Sequence, residues 1–225
     1  DEAFLSADDY SRMNYIANWA RSPYFSHGNH VWPSGHFWVL GFIVRSFFQD
    51  IELAIILTSL ISGLLALMFL GLCTWSLTRN IRAAMWSILL FAAFPLHTWL
   101  SVSGLVDIHY WMLLLAGAWL YSEHIRNKKK IYVFVTLAFL MWGISASLRY
   151  EAWIFNTLFF AVFVIYEIFL KTDDFCQPKM LSFLFLWGIL LFWFPLAWML
   201  DCYIQSGDFL DFIKNNTGLV NIVSS

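Results

Sequence analysis

Leu53 to Arg82 reads LAIILTSLISGLLALMFLGLCTWSLTRNIR, an apolar run to Leu77 without a charged residue, followed by a break at Thr78 to Arg82 that carries two arginines. Asp50 and Glu52 stand at its other end. At about 1.5 Å per residue the run is long enough to cross a hydrocarbon core about 30 Å thick. Five more apolar stretches follow, Ala83 to Leu100, Val106 to Ser122, Ile131 to Leu148, Ala152 to Leu170 and Leu181 to Ile204. Six such runs cannot all hide inside a soluble chain of 225 residues, and 60% hydrophobic with 12% charged residues is foreign to soluble domains. The predicted fold class is all-α, a polytopic transmembrane helical bundle.

Polar breaks between the stretches alternate in charge. Arg79, Arg82, Arg126, Lys128, Lys129, Lys130, Lys171 and Lys179 fill one set, 8 of the 13 basic residues, so these loops are predicted to be cytoplasmic. Asp1, Glu2, Asp8, Asp9, Asp50, Glu52, Asp107, Glu151, Asp201, Asp208 and Asp211 gather in the opposite set and the terminal segments, 11 of the 15 acids. Acids have little influence on insertion, so their clustering needs another cause. Without a basic stripe, nucleic acid is excluded as a partner. Cys73, Cys176 and Cys202 fall in a span, a cytoplasmic loop and an outer end, which places no pair for a disulfide.

Residues 1–50 form an outer segment ahead of the six spans at 51–204, and 205–225 form another. Ser6-Ala7-Asp8-Asp9 has the spacing of a capping box, with Met13, Ile16, Ala17 and Ala20 following at helical intervals. This predicts an amphipathic helix on the membrane surface with Tyr15 and Trp19 at headgroup depth. Pro23 and Ser26 to His30 end it. Val31-Trp32-Pro33-Ser34-Gly35-His36-Phe37-Trp38 opens an apolar segment to about Phe48, too short to span and therefore interfacial or re-entrant. The chain is a single transmembrane domain. Six spans return both ends to the outer side, which predicts a fragment of a longer chain lacking an upstream helix.

Candidate site residues come from the acidic side. Asp8 and Asp9 suit a helix N-terminus, and capping leaves either able to act chemically. Asp107 suits a helix start, and with His109 it lies where a polar cavity would open. Arg149-Tyr150-Glu151 places opposite charges between two spans with almost no turn chemistry. Residues two apart on a helix do not face each other, so each is expected to have a different partner. Trp32, Trp38 and Trp153 are candidate sugar-stacking faces. His27, His30 and His36 lack helical metal-ligand spacing and predict no metal. Asp50, Glu52, Asp201, Asp208 and Asp211 read as solvated loop or helix-end charges. Asn215-Asn216-Thr217 is a sequon that matters only in a eukaryotic secretory setting.

An acidic pair on a surface helix, the Trp32-Pro33-Ser34-Gly35-His36-Phe37 segment, Phe94-Pro95-Leu96-His97-Thr98-Trp99-Leu100-Ser101, Arg149-Tyr150-Glu151 and Ser206-Gly207-Asp208-Phe209-Leu210-Asp211-Phe212 together resemble the GT-C superfamily of integral membrane glycosyltransferases. The nearest likeness is to the dolichyl-phosphate-mannose-protein mannosyltransferase type, with Ser34 where relatives often carry a second proline. The resemblance implies a GT-C-like bundle with juxtamembrane helices on the outer face. It also implies transfer of a sugar from a polyprenyl-phosphate donor to a glycan, lipid or protein acceptor in one inverting displacement. Asp8 would be the general base, with Asp9 or Asp1 as alternatives; Arg149 would take the phosphate, Glu151 sugar or acceptor hydroxyls, and Asp107, His109, Trp32 and His36 would complete the substrate cavity. No cofactor is predicted, and a divalent metal is left open because relatives differ. The expected location is a bacterial or archaeal plasma membrane, or else the endoplasmic reticulum membrane, with the site on the outer or luminal face. The rival expectations are a secondary transporter and a non-catalytic subunit of a membrane complex.

Overall fold

The computed structural model describes residues 7–26, 28, 30–48, 50–126, 132–170 and 178–215, apart from the side chains of 7–9, 166–170 and 178–180. Asp1, His27, Lys128, Lys129, Lys130, Lys171, Cys176 and most of the sequon lie outside this description, as do the side chains of Asp8, Asp9 and Lys179. Among the described residues the chain is helical without strands: α1 (Ala7–Arg21), α2 (Gly35–Phe47), α3 (Ile51–Thr78), α4 (Ile81–Ala92), α5 (Pro95–Leu100), α6 (Asp107–Arg126), α7 (Tyr132–Ser145), α8 (Glu151–Leu170) and α9 (Pro178–Ser206). Two described stretches, Ile51–Thr78 and Leu181–Ser206, are long and apolar enough to cross a membrane. Ile81–Ala92, Tyr132–Ser145 and Glu151–Ile165 are apolar but shorter.

The expected span at 83–100 is two helices. Pro95 has no N–H and forces its predecessor out of the helical region, and Phe94 accordingly sits at φ −72°, ψ 116°. Asn80 restarts the chain after the basic break by accepting hydrogen bonds from the Arg82 and Ala83 amides at 3.0 and 3.4 Å. Asp50 caps α3 through the Leu53 amide at 3.1 Å, as a helix-end acid should.

Contacts define the direction of each helix. Ser59 donates to the Ser103 carbonyl at 2.7 Å and Phe69 stacks on Trp119, so α3 and α6 run side by side in the same sense. The indole of Trp142 donates to the Leu114 carbonyl at 3.2 Å, turning α7 back along α6. Trp187 donates to Thr136 at 3.0 Å and Tyr132 stacks on Phe183, which sets α9 parallel to α7. Asn156 donates to the Trp142 carbonyl at 3.0 Å from α8, whose later residue Phe163 reaches back to Phe139. The starts of α6 and α8 and the ends of α7 and α9 therefore share one end of the bundle.

Aromatic packing dominates the interior of α7, α8 and α9, where Trp142, Phe139, Phe163 and Trp187 are buried together. Close approach depends on Gly143, where a Cβ would strike the Leu190 carbonyl. Backbone on the far side cannot yield as a side chain tip can, so Gly143→Val is expected to cost roughly 1–3 kcal/mol. A lowered thermal midpoint in detergent checks this. Outside, α3, α4 and α8 expose Ile61, Leu64, Trp86, Leu90, Leu158 and Val162, a surface suited to hydrocarbon.

The amphipathic helix predicted near the N-terminus is present as α1, but its apolar face is spent on protein. Ile16 packs with Phe37, Leu40 and Ile55 in one core cluster. The Trp19 ring lies against Gly41, and its N–H reaches the Tyr24 carbonyl at 2.9 Å. α1, α2 and the start of α3 thus form a cap at the end where α6 and α8 begin.

Candidate functional site

Four segments converge beneath this cap. α7 stops at Ser145, and the chain turns through Ala146, Ser147 and Leu148 before α8 begins at Glu151. The turn is pinned from both sides: Trp153 donates to the Ala146 carbonyl at 2.8 Å and Tyr150 to the His30 carbonyl at 2.7 Å. The Gly35 amide, first in α2, donates to the Ser147 carbonyl at 2.9 Å. Any side chain at 35 would enter Ser147, so glycine is required for this approach.

Arg149 lies in the turn, ahead of the helix, and this changes its reach. Its Nε and Nη2 grip the Glu151 carboxylate at 3.0 and 2.6 Å, while Nη1 binds Asp107 at the start of α6. The expectation that Arg149 and Glu151 have separate partners is therefore corrected. That helical spacing rule does not govern a residue outside the helix. Asp107 and Arg149 are about three-quarters buried (26% and 29% exposed) and Glu151 is 59% exposed. The Arg149 hydrogen bonds hold the Glu151 carboxyl below the usual carboxylate range. Two carboxylates on one guanidinium leave the triad with net charge −1, and the arginine fork is already spent on them.

His36 and His109 meet next to it, their ring centroids 5.2 Å apart. They are 1% and 8% exposed and Ser34 is wholly buried; the Ser34 hydroxyl and both His36 nitrogens have no hydrogen-bond partner within the chain, while the His109 ring lies against the Leu105 carbonyl one turn back. Burial first, then His109 and the Arg12 charge, push the His36 pKa well below the ordinary imidazole value. Trp32 is partly buried and already engaged. Arg12 of α1 sits over its ring at 4.8 Å, with Tyr15 against it edge-on. The other two candidate stacking residues are also engaged, Trp38 with Phe25 and Phe194, and Trp153 with Tyr150 and Phe212.

The structure thus brings Trp32, His36, Asp107, His109, Arg149 and Glu151 to one end. Asp8 and Asp9 lie on α1 about one turn before Arg12, on the backbone alone. Among the described residues no group of three metal-ligating side chains gathers.

A second cluster had no expression in the sequence. His30, at a left-handed φ of 50°, is buried between Asp201 at 2.9 Å and Asp211 at 3.3 Å, one on each ring nitrogen. Asp201 and Asp211 are therefore not solvated charges. They are 171 and 181 residues away along the chain, a separation without any local pattern. Asp208 does behave as a surface charge, pairing with Lys214 at 2.5 Å. The imidazole fastens the 30–34 loop to the end of α9 and to the 208–215 segment. His30→Ala leaves two carboxylates facing each other, and faster amide hydrogen exchange over 208–215 and 30–34 is expected. Unchanged exchange would show the clamp to be idle. Comparison of the chain with protein-family models, with curated proteins and with solved structures returns no match.

Proposed function

We propose that this chain is an integral membrane glycosyltransferase of the GT-C kind, transferring a sugar from a polyprenyl-phosphate donor to a hydroxyl acceptor at the outer or luminal face. The observation carrying this reading is the convergence at one end of α1, the 32–36 segment, the start of α6 and the 145–151 turn. These are segments that the resemblance names for the site. The alternating direction of α3, the α4–α5 pair, α6, α7, α8 and α9 supports a polytopic bundle, with Arg79, Arg82 and Arg126 at the end opposite the site.

In the proposed step an α1 carboxylate, Asp8 first, takes the acceptor proton as the acceptor oxygen bonds to the anomeric carbon. The bond from that carbon to the phosphate oxygen breaks, and polyprenyl phosphate departs with the electron pair. Its stability as an anion removes the need for the second carboxyl that glycosidases use as acid. Arg149 orients Asp107 and Glu151 toward substrate hydroxyls. Binding a phosphate there would require it to release one of them.

Saturation of Arg149 favours one second reading, a non-catalytic subunit that keeps the fold. Purified protein supplied with radiolabelled polyprenyl-phosphate sugars and a panel of acceptors separates the two. Turnover supports the enzyme; donor binding without turnover supports the subunit; uptake of label into proteoliposomes would instead indicate a transporter.

A further inference from the structure

α2 is 13 residues long, and its N-terminal end is unlike a finished helix start. Ser34 occupies the cap position without making a side-chain capping bond, and the first turn has no acid. α6 and α8, which begin at the same end, carry Asp107 and Glu151 in theirs. Trp38 bonds to the Ser34 carbonyl at 3.1 Å and the Gly35 amide is taken by the Ser147 carbonyl, which leaves the His36 amide at the head of the helix. Around this end lie three buried polar atoms without partners, the Ser34 hydroxyl and both nitrogens of His36, with the His109 ring against them. Each buried unsatisfied group costs about 1–3 kcal/mol, so a bound molecule that pairs with these groups, whether ligand or water, is stabilised here.

From this we propose that the α2 N-terminus, Ser34, His36 and His109 form a binding site for a phosphate group. The His36 amide and the helix dipole favour an anion, two imidazoles and a hydroxyl offer further donors, and Arg12 supplies nearby positive charge. A metal cation fits less well. The Arg12 charge bears on His36, and among the described residues no third metal ligand joins the pair. The phosphate comes either from a polyprenyl headgroup or from a free anion. The headgroup assignment rests on the glycosyltransferase reading, whereas the anion site rests on the geometry alone.

The test is binding, without turnover. Wild-type protein in nanodiscs is titrated with polyprenyl monophosphate, with the matching polyprenol and with inorganic phosphate, followed by phosphorus NMR and tryptophan fluorescence. Preference for the lipid phosphate over the polyprenol is expected. Binding of inorganic phosphate alone assigns the site to a free anion, and binding of the lipid only assigns it to a headgroup. His36→Phe and His109→Phe keep the ring shape and remove the nitrogens, and should each weaken phosphate binding at least tenfold. Since the His36 nitrogens have no protein partner, the thermal midpoint of His36→Phe without ligand should stay level or rise. Ser34→Ala, the smallest change, should weaken binding severalfold. Equal binding of polyprenol and its phosphate, unchanged affinity in all three variants, or a fall in the ligand-free midpoint that accounts for the loss would overturn the site. Phosphate binding with no sugar transfer would overturn the enzyme reading and leave the site standing.

Discussion

Asp8→Asn is expected to lower sugar transfer by about 10²–10⁴-fold, the contribution usual for a positioned general base, while donor binding changes little. The side chain is nearly isosteric, so the helix is retained, but an amide cannot accept the acceptor proton. Asn is also a good residue near a helix start, so loss of stability should not confuse the result. Arg12 and Ile16 mark the face of α1 turned toward Trp32 and the core. Position 8 lies one turn before Arg12 on that face, and position 9 falls beside it. Asp9→Asn should therefore be compared in the same single-turnover assay, and the larger loss identifies the base. Full activity in both variants would remove the α1 carboxylates from the mechanism.

Arg149→Ala should have the next largest effect. Removing one partner of a buried ion pair costs about 3–5 kcal/mol because the remaining charge is stranded. About a quarter of the Asp107 and Arg149 side chains stays exposed, so roughly 2 kcal/mol is the better expectation here. Asp107 and Glu151 would also repel each other across the vacated position, loosening the junction of α6 with the 145–151 turn. Combining Arg149→Ala with Asp107→Asn should recover part of the thermal midpoint, since the stranded carboxylate is then neutral. Arg149→Lys keeps the charge and loses the two-pronged grip on Glu151, so it should be intermediate. A midpoint indifferent to all three changes would mean that the triad does not tie α6 to the turn.

The apolar runs, the basic breaks and the helix-starting acids were legible because they depend on local spacing. Asp50 caps α3, and Asp107 opens α6 as its position implies. The same local logic failed where one residue altered the backbone. Pro95 divided a span, and the turn after Ser145 placed Arg149 outside the helix whose spacing had been applied to it.

By itself the sequence determined helical structure throughout the described residues, two of the helices long and apolar enough to cross a membrane, and carboxylates concentrated at one set of breaks, since hydrophobic runs and charge act through near neighbours. Only the tertiary structure decided which charges meet. Arg149 joins Asp107 across 42 residues and His30 joins Asp201 across 171, contacts chosen by how helices pack and turns are pinned. The meeting of His36 and His109 belongs to the same category. A histidine's chemistry depends on what lies within hydrogen-bond reach, and that is set by the approach of α2 to α6 through Gly35 and the Ser147 turn.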